Sequence, residues 1–443
     1  MRQWMVAAKK ADFYAIAEKF HVDPVVARII RNREVIGEKN IRIYLGGNLS
    51  DLSDPHQMKD MDRLVEILAQ KIRKQVHIRI IGDYDVDGVT SSHLFLTALR
   101  RVGAKVDVVI PHRIQDGYGL SLHLLQQAKE DGVDTILTCD NGIAAIDEIA
   151  WAKAQKMTVL VTDHHAVPFE EHEGRRTEKK SLADAVVNPH QQDCGYPYKE
   201  LCGAGVAWNV IRVLYENYDM DKREAEDLLD FVAMATVCDV MSLTGENRIL
   251  VKEGLKRIRH TKNIGLQALM QACNVQPENI SAYHFGYVLG PCVNATGRLD
   301  TARHALRLFE TGQETEAEEI ARDLVDLNQE RKELTLQGVE MAKKLCEEGG
   351  YENDPILVLF LPDVHESIAG LIAGRIREMY NRPVFVLTRG EEGVKGSGRS
   401  TENYSMYENM CGCAELFTKF GGHPMAAGLS LPEENVEKFR RKI

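Results

Sequence analysis

Ile78-Arg-Ile-Ile-Gly-Asp83-Tyr-Asp85-Val-Asp87-Gly88 sets three carboxylates, each two residues from the next, at the end of a short apolar run that reads as a strand. Such a density of negative charge is costly unless cations neutralise it. Alternating acids at a strand-to-loop junction project toward one site, and carboxylate oxygens are the hard ligands that Mg²⁺ and Mn²⁺ prefer. An acidic turn capping a helix that starts near Val89, with Asp-Gly turn chemistry, would account for one such residue. Three behind one apolar strand point to a metal cradle.

Two later segments repeat the arrangement. Val133-Asp-Thr-Ile-Leu-Thr-Cys-Asp140-Asn-Gly142 and Thr158-Val-Leu-Val-Thr-Asp163-His164-His165 are β-branched runs that end in acid or in an Asp-His-His triplet. Helical patterns over 91–102, 121–131 and 144–155 separate the runs, so the strands should be parallel with their C-terminal ends on one sheet edge, where ligands bind in open α/β sheets. Phe231-Val-Ala-Met-Ala-Thr-Val-Cys238-Asp239 is a fourth apolar run ending in acid. The imidazole of His164 tilts an oxygen-rich set toward Mn²⁺, and Mg²⁺ also fits.

Taken together these residues resemble the DHH phosphoesterase family. Asp83 to Gly88 looks like its first motif, Asp140-Asn-Gly142 its second, Asp163-His164-His165 the signature triplet and Asp239 the fourth. Leu52-Ser-Asp54-Pro55 with Met61-Asp-Arg63, Pro111-His-Arg113 through Gly117-Tyr118-Gly119, Leu201-Cys-Gly203-Ala-Gly205 and Asn294-Ala-Thr-Gly297-Arg298-Leu299 are also similar. His365 through Arg375, Gly396-Ser397-Gly-Arg399-Ser400 and Gly421-Gly422-His423-Pro-Met-Ala426-Ala427-Gly428 resemble the accessory DHHA1 domain that follows the DHH domain. Several motifs in family order make coincidence improbable.

The resemblance is closest to the family's single-strand-specific exonucleases, and it implies hydrolysis of single-stranded DNA from the 5′ end in repair and recombination. It implies single-stranded DNA as substrate, with a single-strand-binding protein and a helicase as partners. Such enzymes usually continue into an oligonucleotide-binding barrel, which is expected to be absent from a sequence ending at Ile443. Other family members cleave pyrophosphate, short oligonucleotides or cyclic dinucleotides, and related scaffolds without metal ligands serve as structural components. The motifs around Arg113 and Arg298 favour the exonuclease, and retention of all four acidic motifs argues against the scaffold.

Residue chemistry assigns roles within that reading. Two divalent ions held close together lower the pKa of water and stabilise the attacking and leaving oxygens of a phosphodiester. Asp85, Asp87, Asp140, His164 and Asp239 are the expected ligands, with Asp83 a further ligand or a supporting carboxylate. Asp163 is expected to orient an imidazole, and His165 to act as the acid or to polarise the scissile phosphate, given the neutral-range pKa of histidine. The resemblance assigns Arg113, Arg298, Ser397 and Arg399 to the 5′ end and backbone, with His423 facing the metals across a cleft between lobes. Gly421 and Gly422 allow close backbone approach, a flexible turn is expected at Gly396 to Arg399, and Tyr118 could stack on a base.

Composition fits a large globular enzyme of two lobes: 443 residues are too many for one ordinary core. No apolar stretch is long enough to span a bilayer, and Met1-Arg-Gln-Trp lacks the apolar core of a signal peptide, so a cytoplasmic location without membrane contact is expected. Nine scattered cysteines fit a reducing compartment, and Cys411-Gly-Cys413 lacks the second pair that zinc would need. The net charge of −11 counts the carboxylates proposed to hold cations, so basic patches near Arg100-Arg101, 71–74, Arg375 and Arg377 can still meet phosphate.

The expected fold class is α/β. Residues 1–75 read as an amphipathic helical segment packed on the DHH domain, with a helix over 58–70. A DHH domain with a largely parallel sheet is expected over 76–310, with a charged mobile or surface loop at 169–181 and mostly helix over 204–275. Residues 311–350 form the link, where 313–348 predicts one long helix or a helical pair. A smaller α/β domain like DHHA1 follows at 351–443, with strand patterns at 355–360 and 383–387 flanking a helix at 367–380.

Overall fold

In this computed structural model the described residues are 9–443, excepting 114–115, 118, 173–174 and 391–392, with backbone alone for 171–172 and 175–176. They divide into two compact units, Met1–Val325 and Asp326–Ile443.

The first unit is built on a parallel sheet of order β2-β1-β3-β4-β7. Its strands are β1 Ile78–Ile81, β2 Val106–Val109, β3 Thr135–Cys139, β4 Thr158–Thr162 and, beyond the β5–β6 pair, β7 Ala185–Val187. Side chains alternate between two cores, as the period of a strand requires. Ile78, Ile80, Leu137, Cys139 and Leu160 pack with the helices Met61–Arg73, Val86–Arg101 and Gly203–Asn217. Ile81, Ile136, Val159 and Val161 pack on the other side with the helices Leu122–Glu130 and Ile146–Ala154.

Register carries function to one edge. Ile81 pairs with Thr138, and Thr138 with Val161. Asp83, Asp140 and Asp163 each lie two residues beyond that row. The chain leaves β1 for β2 on one side and returns to β3 on the other, so the crevice between β1 and β3 is the topological switch point where α/β sheets bind ligands.

One expectation about this unit needs correction, and the stretch 204–275 is mostly helix as expected. Residues 169–181 include an antiparallel pair, β5 Phe169–His172 with β6 Arg175–Glu178, where a loop was expected. Backbone pairing there needs no apolar side chains, so composition hides it. The apolar run before Asp239 is the helix Leu229–Cys238, buried along nearly its whole length, and Asp239 is its C-cap residue. A run buried on all sides shows neither the strand nor the helix period.

The second unit has the sheet order β11-β12-β10-β9-β8. It comprises β8 Leu357–Phe360, β9 Val384–Gly390, β10 Gly393–Arg399, β11 Lys419–Gly422 and β12 Ala426–Leu431, antiparallel except for the β8–β9 pair. The helix Ala369–Tyr380 covers one face, with Ile372 and Ile376 against Val384 and Val386. Residues 313–348 resolve to a single helix, Glu314–Gly349. A Cβ on its Gly338 would come 2.3 Å from Ile372 Cδ1, so this glycine permits the close packing of two helices.

Residues 396–399, expected as a flexible turn, lie in β10. Their glycines serve packing: a Cβ would lie 2.4 Å from Leu387 Cδ2 at Gly396 and 2.4 Å from Met406 Sδ at Gly398.

Candidate metal centre

Each acidic residue reaches the sheet edge by its own local device. Asp83 follows β1. Asp85 is the N-cap of the helix Val86–Arg101, accepting from the Gly88 N–H at 3.0 Å, and Asp87 lies in that helix's first turn. The helix starts earlier than the sequence pattern suggested, so the capping role and the cluster of acids coincide. Asp140 adopts φ 61°, a left-handed conformation that side chains seldom take, directly after β3. Asn141 locks that bend by donating to the carbonyls of Ile81, at 3.0 Å, and Cys139, at 2.9 Å.

The carboxylates converge. Asp83, Asp85 and Asp140 offer oxygens mutually within 4.8 Å, and so do the ligand atoms of Asp87, His164 and Asp239 and those of Asp140, His164 and His165. His164 Nε2 stands 3.1 Å from Asp140 Oδ1, 3.6 Å from Asp239 Oδ2 and 3.7 Å from Asp87 Oδ2. Asp163 is turned away to a different task. Its Oδ2 accepts from the Ile143 N–H at 2.9 Å, and its Oδ1 accepts from the His164 and His165 amides and lies 2.7 Å from His165 Nδ1.

Electrostatics show what this cluster lacks. Burial, with Asp85 beside it, holds Asp83 well above the usual carboxylate range. Burial with Asp87 close by raises Asp85, and burial with Asp87 and Asp85 raises Asp140 strongly and brings Asp239 to about 8. Burial lowers the His164 imidazole. Burial would also lower His165, but its hydrogen bond to Asp163 and the nearby carboxylates lift it to about 9, above the neutral range expected from the sequence. Asp83 Oδ1 and His164 Nε2 are buried without a hydrogen-bond partner among the described residues. Aggregated carboxylates that resist ionisation, an imidazole nitrogen kept neutral and buried atoms without donors together fit divalent cations as the missing charge. The mixed oxygen and nitrogen donor set suits Mn²⁺ and admits Mg²⁺.

Backbone groups that residue types do not signal support the acidic cluster. The N–H groups of Gly203 and Ala204, at the start of the helix Gly203–Asn217, donate to the Asp87 carboxylate at 2.6 and 2.8 Å. That gives the Leu201 to Gly205 motif a task its side chains do not advertise. Asn294 Oδ1 accepts from the Val86 N–H at 3.2 Å, and Gly297 packs so closely on the Tyr84 carbonyl that a Cβ would come within 2.4 Å. The Asn294 to Arg298 motif thus braces the metal loop. Asp239 ends its helix in a Schellman arrangement, with the Val240 N–H on Val237 O and the Met241 N–H on Thr236 O, both at 3.2 Å. Val240 occupies the left-handed position at φ 58° and is 87% exposed.

Among the residues expected to bind substrate, the Arg113 guanidinium lies 4.8 Å from the Tyr84 ring centroid, and the charges of Arg113 and Arg298 both act on the Tyr84 hydroxyl. Tyr118 lies outside the described residues. In the second unit, Ser397 of β10 pairs with Gly428 of β12, which pairs in turn with Gly421 of β11. A Cβ on Gly421 would meet nothing within 4 Å, so Ser397, Gly428 and Gly421 form a shallow open strip on the sheet. Arg399 borders the strip, one step along β10 on the same face and opposite Ala426. The His423 N–H donates to Ala426 O at 2.8 Å in the turn after Gly422.

Residues 77–236 match the DHH family, N-terminal domain, and residues 353–443 match the DHHA1 domain. The single-stranded-DNA-specific exonuclease RecJ of Haemophilus influenzae is 36% identical over 435 residues, which cover 94% of this chain and 73% of that protein. The chain belongs to the RecJ family. RecJ of Bacillus subtilis is 34% identical over 97% of this chain, which spans only 53% of that longer protein. The solved structure of RecJ in complex with Mn²⁺ from Thermus thermophilus superposes with a TM-score of 0.81 at 29% identity, covering 97% of this chain and 60% of that one. A further RecJ structure from that organism contains Mg²⁺. These structures share the α/β architecture of the present chain. Among the described residues, no helix is long and apolar enough to cross a membrane.

Proposed function

We propose that this chain is a divalent-metal-dependent exonuclease that hydrolyses single-stranded DNA from its 5′ end to mononucleotides. The observation that carries the reading is the pair of ligand groups at the sheet edge, Asp83–Asp85–Asp140 and Asp87–His164–Asp239, bridged by the 3.1 Å approach of His164 to Asp140. These six residues would hold two ions, Mn²⁺ or Mg²⁺, which supply Lewis-acid polarisation of the phosphodiester and lower the pKa of water.

The chain's own groups do the rest. Asp163 fixes the His165 ring through Nδ1, which orients Nε2 to give a proton to the leaving oxygen. Arg113, beside the Tyr84 ring, and Arg298, near enough to act on the Tyr84 hydroxyl, attract and orient the phosphate. Ser397, Arg399, Gly421, Gly422 and His423 would take the nucleic-acid backbone, because a strip of glycines with one hydroxyl and a guanidinium at its border admits phosphates closely. A single-strand-binding protein and a helicase remain the expected partners, since an enzyme of this kind needs strands separated and presented. A cytoplasmic site of action follows from that substrate.

Single-stranded DNA labelled at its 3′ end, duplex DNA and a dinucleotide, digested in parallel with Mn²⁺ or EDTA, test the reading. Progressive shortening of the single strand from the 5′ side, abolished by EDTA, is expected. Cleavage of the dinucleotide alone, or shortening from the 3′ side, overturns it.

A further inference from the structure

A pair of tyrosines lies on the helical segment that braces the metal loop. Tyr283 is 62% and Tyr287 72% exposed, yet their rings stack with centroids 5.2 Å apart and an interplanar angle of 25°. Between them begins a π-helical turn, Phe285–Leu289, which runs directly into the helix Gly290–Leu299. Such turns are rare, and where they occur they are frequently found at functional sites.

This turn is pinned to the metal centre. The Phe285 carbonyl accepts from Cys238 Sγ at 3.3 Å, and Cys238 immediately precedes Asp239. A Cβ on Gly290 would come 2.3 Å from the same sulfur, so only glycine lets the segment lie this close to the helix that ends at Asp239. At the other end, Asn294 hydrogen-bonds the Val86 amide beside Asp85. Positions 291, 294 and 298 recur at the spacing of one face of the helix Gly290–Leu299, and Tyr287 enters that helix from its N-terminal end, with Arg298 near the other. From Tyr287 to Asn294 is about 10 Å at ~1.5 Å per residue, the length of about three stacked nucleotides at ~3.4 Å each.

We propose that Tyr283 and Tyr287 form a stacking platform for bases of the single strand, about three nucleotides from the metal loop. This inference rests on the exonuclease reading above. Two solvent-facing rings joined rigidly to the metal centre offer every base a π-face without reading its identity, which a sequence-tolerant exonuclease requires. Both rings are exposed, so truncating them leaves the packed core of the unit in place.

The test compares the Y283A/Y287A and Y283F/Y287F variants with the unsubstituted protein, using a 5′-phosphorylated strand of about 20 nucleotides, the same strand with abasic positions near its 5′ end, and a dinucleotide. Loss of stacking should raise KM for the long strand by about fivefold or more in the alanine variant, at unchanged melting temperature and unchanged dinucleotide turnover. The phenylalanine variant should retain the unsubstituted KM. On the abasic strand the unsubstituted protein should weaken to the level of the alanine variant. Equal KM values on the long strand overturn the platform, as does an alanine variant that loses dinucleotide turnover equally. Anisotropy of a labelled phosphorothioate strand reads binding without cleavage, so it decides the platform even where the hydrolytic reading fails.

Discussion

The Asp87 carboxylate accepts a hydrogen bond from the Gly203 amide at 2.6 Å, joining the first acidic motif to the start of a helix more than a hundred residues later. Amide dipoles at a helix N-terminus attract a carboxylate and fix its direction. Gly203 also lies tight against the second motif, because a Cβ there would lie 2.6 Å from Asp140 Cβ and 2.9 Å from Asp140 Cα.

Gly203→Ala should therefore damage the metal centre without removing any ligand. The added methyl must push Asp140 or the helix start aside, and overpacking of this kind costs about 1 to 3 kcal/mol. Titration calorimetry with Mn²⁺ should show affinity reduced by about tenfold or more. Ala204→Gly, which keeps both amides and adds no atoms, should bind Mn²⁺ as the unsubstituted protein does; equal losses in the two variants would refute the steric account.

Substituting Asp140, a proposed ligand, should separate metal binding from folding. In EDTA, Asp140→Ala is expected to melt at or above the temperature of the unsubstituted protein, since Asp140 is crowded by Asp87 and Asp85 and resists ionisation. Added Mn²⁺ should raise the melting temperature of the unsubstituted protein and leave the variant's almost unmoved, with hydrolysis abolished. Scanning calorimetry with and without the ion, beside a nuclease assay, reads both effects.

His165 should behave differently. Its ring is held by Asp163 through Nδ1 and partly exposed, so His165→Ala should keep Mn²⁺ occupancy near normal while single-turnover rates fall by about 10²-fold or more, the usual worth of a general acid. Because His165 also stands in one ligand group with Asp140 and His164, metal analysis of the variant decides the matter. A matching loss of metal would make it a ligand.

The reach of the sequence differed from one part of this site to another. Asp83, Asp140 and Asp163 could be read because each ends a short β-branched run, and parallel pairing then brings such ends to one edge. The run before Asp239 carries no period of its own, because Phe231 to Thr236 is buried on every side, and it reads as helix only as part of the mostly helical 204–275. The glycines of β10 read as a turn in the sequence, whereas their role is to admit Leu387 and Met406. The amides of Gly203 and Ala204 left no trace in residue type, since every residue but proline carries the same donor. Motif order pointed to their segment without saying what it does.

Val240 stores strain beside Asp239. A β-branched residue in the left-handed conformation costs about 1 to 2 kcal/mol, and glycine avoids the cost. Val240→Gly should therefore raise unfolding stability by about 1 kcal/mol in urea, because the side chain is 87% exposed and leaves no cavity. A destabilised variant would show that the isopropyl group holds the Asp239 turn by contacts that outweigh the strain.

Asp230 gives the pH dependence. It lies at the start of the helix Leu229–Cys238, at the opposite end from Asp239, and is 3% exposed. Burial raises its carboxyl to about 6, against the lowering effect of hydrogen bonds from Thr261 Oγ1 at 2.6 Å and the Phe231 N–H at 2.8 Å. Its folded pKa is above its unfolded one, so its contribution to stability is fully present below about pH 4 and is lost as pH rises through about 6. Over that window the cost of burying its charge reaches about 2 to 3 kcal/mol, at ~1.4 kcal/mol per pKa unit. Asp230→Asn removes the charge and keeps an acceptor for the Phe231 amide, while the Thr261 hydroxyl can turn to accept from the new amide. Urea unfolding with EDTA present, which takes metal linkage out of the comparison, should find the variant more stable than the unsubstituted protein at pH 8 and nearly equal to it at pH 4. A gain of the same size at both pH values would mean that packing, and not ionisation, sets the difference.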